Sequence, residues 1–126
     1  MKPNEGFVNN TLDNFLKFQE GKKLVLFGAA VQAEKALKEI LDVKNILPSY
    51  IVDNDFRRWY KLFHGYKIHE PKKLLKEDLD SLVVLITSLY PYQIMDQLEE
   101  MGVFNYYASY LFIELFYMKE SRLIHL

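Results

Sequence analysis

The sequence predicts an α/β fold built on a mainly parallel sheet, and three observations carry that expectation. Short apolar runs suited to buried strands alternate with segments of helical periodicity along the chain. The strongest run, "SLVVLITS" (Ser81 to Ser88), is rich in β-branched residues and has no interior charge, as a central parallel strand requires. The stretch "KKLVLFGAAVQAEKALKEIL" passes from such a strand through one glycine into an amphipathic helix, the way a right-handed crossover begins.

The elements follow in order. "FVNNTLDNFLKFQEG" places Val8, Leu12, Phe15 and Leu16 on one helical stripe, with Asn9, Asn10 and Thr11 as cap candidates and Gly21 as the stop. "KLVLF" (Lys23 to Phe27) is a continuous apolar strand. From Ala30 to Leu41, Ala30, Ala33, Leu37, Ile40 and Leu41 share one helical face, while Glu34–Lys38 and Lys35–Glu39 form outward pairs at i,i+4 spacing. "SYIVDND" (Ser49 to Asp55) is a second strand ending in acids, and "GYKIHEP" is a short extended piece. Pro71 suits the first turn of a helix carrying Leu74 and Leu75. After "SLVVLITS", Pro91 opens a helix with Ile94, Met95, Leu98 and Met101 inward and Gly102 as terminator. "FNYYA" is the last strand, and Ser109 is placed to cap a closing helix through Met118. This alternation predicts a Rossmann-like three-layer fold, with about four to five strands and helices on both faces. Residues 1–21 are expected as an N-terminal helix packed on the domain, and 22–126 as the domain itself, closed by an aromatic C-terminal helix.

Composition narrows the functions. A chain of 126 residues makes one domain with room for a proper core. Its net charge of -1 argues against nucleic-acid or anionic-membrane surfaces, which need clustered positive charge. The absence of cysteine excludes disulfides, thiolate metal sites and cysteine nucleophiles. No apolar run approaches a membrane span and no secretory signal opens the chain, so a cytoplasmic protein is expected.

The candidate site is the glycine turn and the strand ends beside it. A dinucleotide-binding turn has the pattern G-x-G-x-x-G or G-x-G-x-x-A, and Gly28-Ala29-Ala30-Val31-Gln32-Ala33 occupies that span. Gly28 keeps the tight turn, and Ala33 is an accepted small residue at the third position. Ala30 departs from the pattern where the backbone would approach a pyrophosphate; its methyl should push a phosphate outward, although the N–H groups of a helix start still attract anions. Asp53 lies 25 positions after Gly28, at the end of the second strand, where a carboxylate can bind a ribose diol. The bland alternative is that Asp53, Asn54 and Asp55 only make a polar turn. Parallel sheets bind ligands beyond the carboxyl ends of their strands, which gathers Gly28, Asp53, Thr87 and Ser88 around one crevice. Thr87 and Ser88 would donate to a phosphate or sugar hydroxyl, or else cap the helix opening at Pro91.

The segments "LVLFGAA", "YIVDND", "HGYKIHEPKKLLK", "LVVLITS" and "IMDQLEEMGVFNYY" together resemble small Rossmann-like nucleotide-binding domains of bacterial glycan and sugar-nucleotide biosynthesis. Such domains accompany sugar acyltransferases, FkbM-type methyltransferases and nucleoside-diphosphate-sugar enzymes. The resemblance spans roughly residues 22 to 112. It implies a sugar nucleotide or a dinucleotide such as NAD at the Gly28 turn and at Asp53. Trp59-Tyr60 departs from it, since these domains carry a tryptophan and then a glycine there. The loop "FRRWYKLFHG" is thus unusually aromatic. It would either fold over the crevice, stacking on a ring with Arg57 or Arg58 on a phosphate, or pack Phe56, Trp59 and Phe63 as satellite core.

Catalytic motifs are missing. There is no phosphate-binding G-x-x-x-x-G-K-[ST] loop, no H-E-x-x-H helix, no G-x-S-x-G elbow, and no tyrosine followed four residues later by lysine. His64, His69 and His125 lack metal-ligand spacing, and Glu99 and Glu100 read as solvated. The expected role is therefore binding of a nucleotide or sugar nucleotide without catalysis by this domain alone. The tail "YYASYLFIELFYM" (Tyr106 to Met118) carries Glu114 as its only charge. A helix apolar all round is buried on several sides. The expected cover is a second copy of the chain or a larger biosynthetic enzyme, the alternatives being burial within its own fold, or a degenerate module used only for assembly.

Overall fold

The structure, a computed structural model, describes residues 10–110 and residue 112. Val8, Asn9, Glu114, Met118 and His125, and with them the body of the expected closing helix, lie outside the described residues.

Helix α1 (Leu12–Phe18) leads into β1 (Lys23–Phe27). Helix α2 (Val31–Ala36) follows, and its winding loosens to π over Leu37–Leu41 before β2 (Tyr50–Val52). A hairpin of β3 (Leu62–Phe63) and β4 (Tyr66–His69) precedes 3-10 turns at Pro71–Lys76 and Leu79–Ser81. Then come β5 (Leu82–Ile86), α3 (Pro91–Glu100) and β6 (Tyr106–Ala108). The strands form one mixed sheet in the order β3-β4-β2-β1-β5-β6, parallel throughout except for β3 against β4.

The continuous apolar runs are explained by burial on both faces. Along β1, Leu24 and Leu26 join a core cluster with Phe15 of α1 and Ala33, Ala36 and Leu37 behind the glycine turn. Val25 and Phe27 join a second cluster with Leu74 and with Ile94, Met95 and Leu98 of α3. A two-period side-chain alternation thus feeds two separate cores from one strand. Helix α1 is integral to the first of them, since Phe15 packs against Tyr107 and Phe112.

Several expectations need correction. The sheet has six strands rather than four to five, because the connection "FRRWYKLFHG" supplies β3. His64 and Gly65 both have positive φ (51° and 87°), the arrangement of a two-residue type I′ hairpin turn. Leu75 is exposed while Leu74 is buried, because a 3-10 turn spaces neighbouring side chains about 120° apart. Of the two outward ion pairs only Glu34–Lys38 forms among the described residues, at 2.8 Å. The pair of Lys35 and Glu39 has the less favourable order for i,i+4 contact and straddles the change to π winding.

Candidate functional site

The glycine turn is fixed by contacts that leave no choice of residue. Gly28 has φ of +119°, and a Cβ there would stand 2.5 Å from the Thr87 carbonyl oxygen. Only glycine tolerates both conditions. The turn is also stitched to its neighbours. Gly28 N–H donates to Val52 O at 2.8 Å, Thr87 N–H donates to Phe27 O at 2.9 Å, and the Thr87 hydroxyl donates to Gly28 O at 2.7 Å. The C-terminal ends of β1, β2 and β5 are thereby held as one platform. The proton of Thr87 is engaged by this platform.

Asp53 stands where the sequence puts it, at the end of β2, but its oxygens already work for the chain. Oδ2 accepts from Ala29 N–H at 2.8 Å and from Arg58 Nη1 at 3.1 Å, and Oδ1 accepts from Asp55 N–H at 2.7 Å. The Trp59 indole N–H donates to the Asp53 carbonyl at 2.6 Å. With the residue buried, its first role is to hold the glycine turn against the loop after β2, whatever further contact it makes. Arg57 faces away and forks onto Asp55 at 2.9 Å, which holds that carboxyl down to about 2.

Around this platform opens a cleft of about 380 Å³. All of Gly28, Ala29, Ala30, Asp53, Asn54, Thr87 and Ser88 line it. The Ala30 methyl is exposed and leaves the hollow open. Ala30 is also the N-cap of α2 and supplies no side-chain acceptor, so nothing on its own side chain satisfies the first-turn N–H groups. Ser88 does not cap α3 either: its Oγ accepts from Tyr90 N–H at 3.0 Å, and Tyr90, the N-cap itself, makes no side-chain cap. Asn54 and Gln97 of α3 exchange two amide hydrogen bonds, each 2.9 Å, from the loop after β2 to the far wall.

The cleft also holds residues that the sequence reading passed over or left undecided. Among the described residues Arg58 is its one lining cation and Asp53 its one lining anion, and Gln32, Gln93 and Gln97 add amides. Gln32 is 6% exposed, and its Oε1 is buried with no hydrogen-bond partner. Gln32 precedes the buried Ala36 by four residues, which puts a polar side chain on the flank of an apolar stripe; that was the available signal. Arg58 carried a weaker one, as half of a basic pair in the loop.

Other expected features lie elsewhere. Trp59 and Phe63 pack partly buried against the first core cluster, whereas Phe56 is 72% exposed and belongs to no satellite core. None of the loop's aromatics lines the cleft. His64 sits 3.7 Å from Glu34, and His69 lies edge-on to Tyr50 and Tyr60, so neither reaches the cleft mouth. Glu99 is not merely solvated: it accepts from the Tyr106 hydroxyl at 2.7 Å. Tyr106 and Tyr107 belong to β6 and are buried in opposite cores of the chain itself. The Ser109 hydroxyl donates to Ile86 O at 3.3 Å, and the body of the helix it is expected to cap lies outside the described residues. Among the described residues no group of His, Asp and Glu is placed to hold a metal, and no helix is long and apolar enough to cross a membrane.

A family model described as C2185-like, N-terminal, matches residues 20–107, and the chain belongs to that family. No curated protein and no solved structure matches the chain.

Proposed function

We propose that the cleft binds a nucleotide-type small molecule, NAD or a nucleoside-diphosphate sugar, in a Rossmann-like three-layer domain. The domain serves glycan biosynthesis in the cytoplasm and does not catalyse a reaction alone. The layered reading is supported by the five parallel strands β4-β2-β1-β5-β6, whose order reverses at β1, and by a core cluster on each face of the sheet. The biosynthetic setting rests on the sequence resemblance.

One observation carries the ligand reading: the cleft opens at the carboxyl ends of β1, β2 and β5, where the start of α2 is left without a side-chain cap and Arg58 stands at the wall. Phosphate is assigned to the Ala30 and Val31 N–H groups and to Arg58, since a guanidinium and open amides both favour an anion. The apolar walls Val31, Leu89, Tyr90 and Ile94 suit a base or ring. Titration calorimetry with NAD, UDP-glucose and coenzyme A tests this; at least one should bind. Failure of all of them at millimolar concentration removes the reading. Ala30→Gly should tighten the binding, because it lets the phosphate approach the backbone.

A second reading draws on a different observation. Val31, Leu89, Tyr90 and Tyr92 are exposed at or next to the cleft, and a homodimer or a larger biosynthetic enzyme would cover them together with the aromatic C-terminal segment. Light scattering on the purified chain distinguishes a dimer from a monomer.

A further inference from the structure

We propose that Gln32 is the residue that reads the bound molecule: on binding, its side-chain carbonyl turns from its buried place into the cleft and accepts a hydrogen bond from a sugar hydroxyl. This rests on the nucleotide-type reading of the same cleft and names the part of the ligand that selects.

The premise is an imbalance. The other buried polar side chains among the described residues, Asn10, Asp53, Thr87 and Ser109, all have partners. Gln32 Oε1 alone has none. Folded proteins leave few such groups, because a buried acceptor without a donor forfeits the hydrogen bonds that water gave it. An aliphatic side chain at this position would pack beside Ala33 and Ala36 without that cost. The amide is therefore a poor choice for the empty fold and a good one for a fold that receives a donor from outside.

The chemistry of that donor follows from the atom. An amide oxygen only accepts, and the oxygens of an ionised phosphate only accept as well, so phosphate is not its partner. Phosphate is left to Arg58 and the N–H groups of the turn. What remains on a nucleotide or sugar nucleotide is a hydroxyl of ribose or hexose, or an N–H of the base. A hydroxyl fits a residue two positions along the helix from the Ala30 cap, next to where the phosphate is assigned. Sites built this way discriminate strongly against analogues that lack the matching group.

Gln32→Met tests the inference by two readouts, with Gln32→Leu as a second variant. Both remove the amide and keep most of its volume. In thermal unfolding without ligand, Gln32→Met should melt roughly 4 °C above the wild type, as expected for release of one unsatisfied acceptor. In calorimetry with NAD and UDP-glucose, it should bind the probe that the wild type binds about three- to tenfold more weakly. Equal affinity in wild type and variant overturns the inference and leaves the nucleotide reading standing. A lower melting temperature, or failure of both variants to fold, also overturns it, since the amide would then be serving the fold. If the wild type binds none of NAD, UDP-glucose and coenzyme A, the nucleotide reading itself falls and this inference falls with it.

Discussion

Two buried amides in this protein have nearly the same exposure and opposite fates. Asn10, 8% exposed, gives both ends of its side chain to one residue of β6, donating to Ala108 O at 3.2 Å and accepting from Ala108 N–H at 2.6 Å. It behaves as one residue of an extra strand and closes the open edge of β6. Gln32, 6% exposed, lines the cleft, and its oxygen is buried without a donor. The helix starts show the same contrast. Among the described residues, Thr11, Asp55 and Asp78 each cap with a side chain, whereas Ala30 and Tyr90, the two starts beside the cleft, do not, nor does Glu70, ahead of Pro71 and away from it. Among the described residues, Asp53, Thr87, Asn54 and Gln97 of the cleft are as closed off as Asn10, and what stays open beside it is the Gln32 oxygen and two helix starts. The difference separates groups that hold the chain from groups that do not.

That division is most sharply tested where a cleft residue is claimed to be structural. Gly28→Ala should cost about 3 kcal/mol or more of unfolding free energy in urea, because it adds left-handed strain to a backbone clash with Thr87. A cost below about 1 kcal/mol would mean that the platform at the strand ends is not built as described. Asp53→Ala should come next, at about 3 kcal/mol, since it strands the buried Ala29 N–H and frees Arg58. Were Asp53 only a ligand contact, urea unfolding of the empty protein would not register its loss.

Much of this was legible beforehand. Strand and helix periods located β1, β2, β4, β5, β6 and the three described helices, and the rule that parallel sheets bind at their carboxyl ends gathered Gly28, Asp53, Thr87 and Ser88, which line one cleft. Reading failed where the deciding fact is tertiary. Asp53 was visible as an acid at a strand end, but its capture by Ala29 N–H depends on how closely β1 and β2 end together. Thr87 was visible as a donor, yet the acceptor it uses is the glycine turn 59 residues earlier in the chain. Gln32 shows its burial by its spacing from Ala36, whereas its lack of a partner is a property of everything around it. The hairpin at His64-Gly65 escaped because a two-residue strand carries almost no periodicity, and the glycine alone was too small a signal.

Asn10→Ala is the counterpart of Gln32→Met and should move stability the other way. Losing both bonds to Ala108 leaves a buried N–H and a carbonyl at the β6 edge, a cost of about 2 kcal/mol in urea unfolding. If Asn10→Ala and Gln32→Met shift stability in the same direction, the contrast between a satisfied and an unsatisfied amide has no energetic content.

The smallest effect lies at the opposite end of the sheet, where β1 and β2 begin. There the Tyr50 hydroxyl donates to Glu77 at 2.7 Å and Lys23 lies 3.1 Å from the same carboxylate. The Tyr50 bond, and then Lys23, hold the Glu77 carboxyl below its ordinary value of 4.5. A carboxyl depressed in the folded state gives stability that is complete above its unfolded value and drains away as pH falls through the folded one. Tyr50→Phe removes the leading cause, so it should cost about 1 kcal/mol at neutral pH and flatten the decline of the urea midpoint below pH 4.5. Burial and then Glu77 push the Tyr50 phenol well above its ordinary 10, so the wild type should also lose stability as pH rises past 10, and Tyr50→Phe should lack that alkaline component. An unchanged acid limb in Tyr50→Phe would show that Glu77 owes its depression to Lys23, and that this end of the sheet is not closed by the phenol.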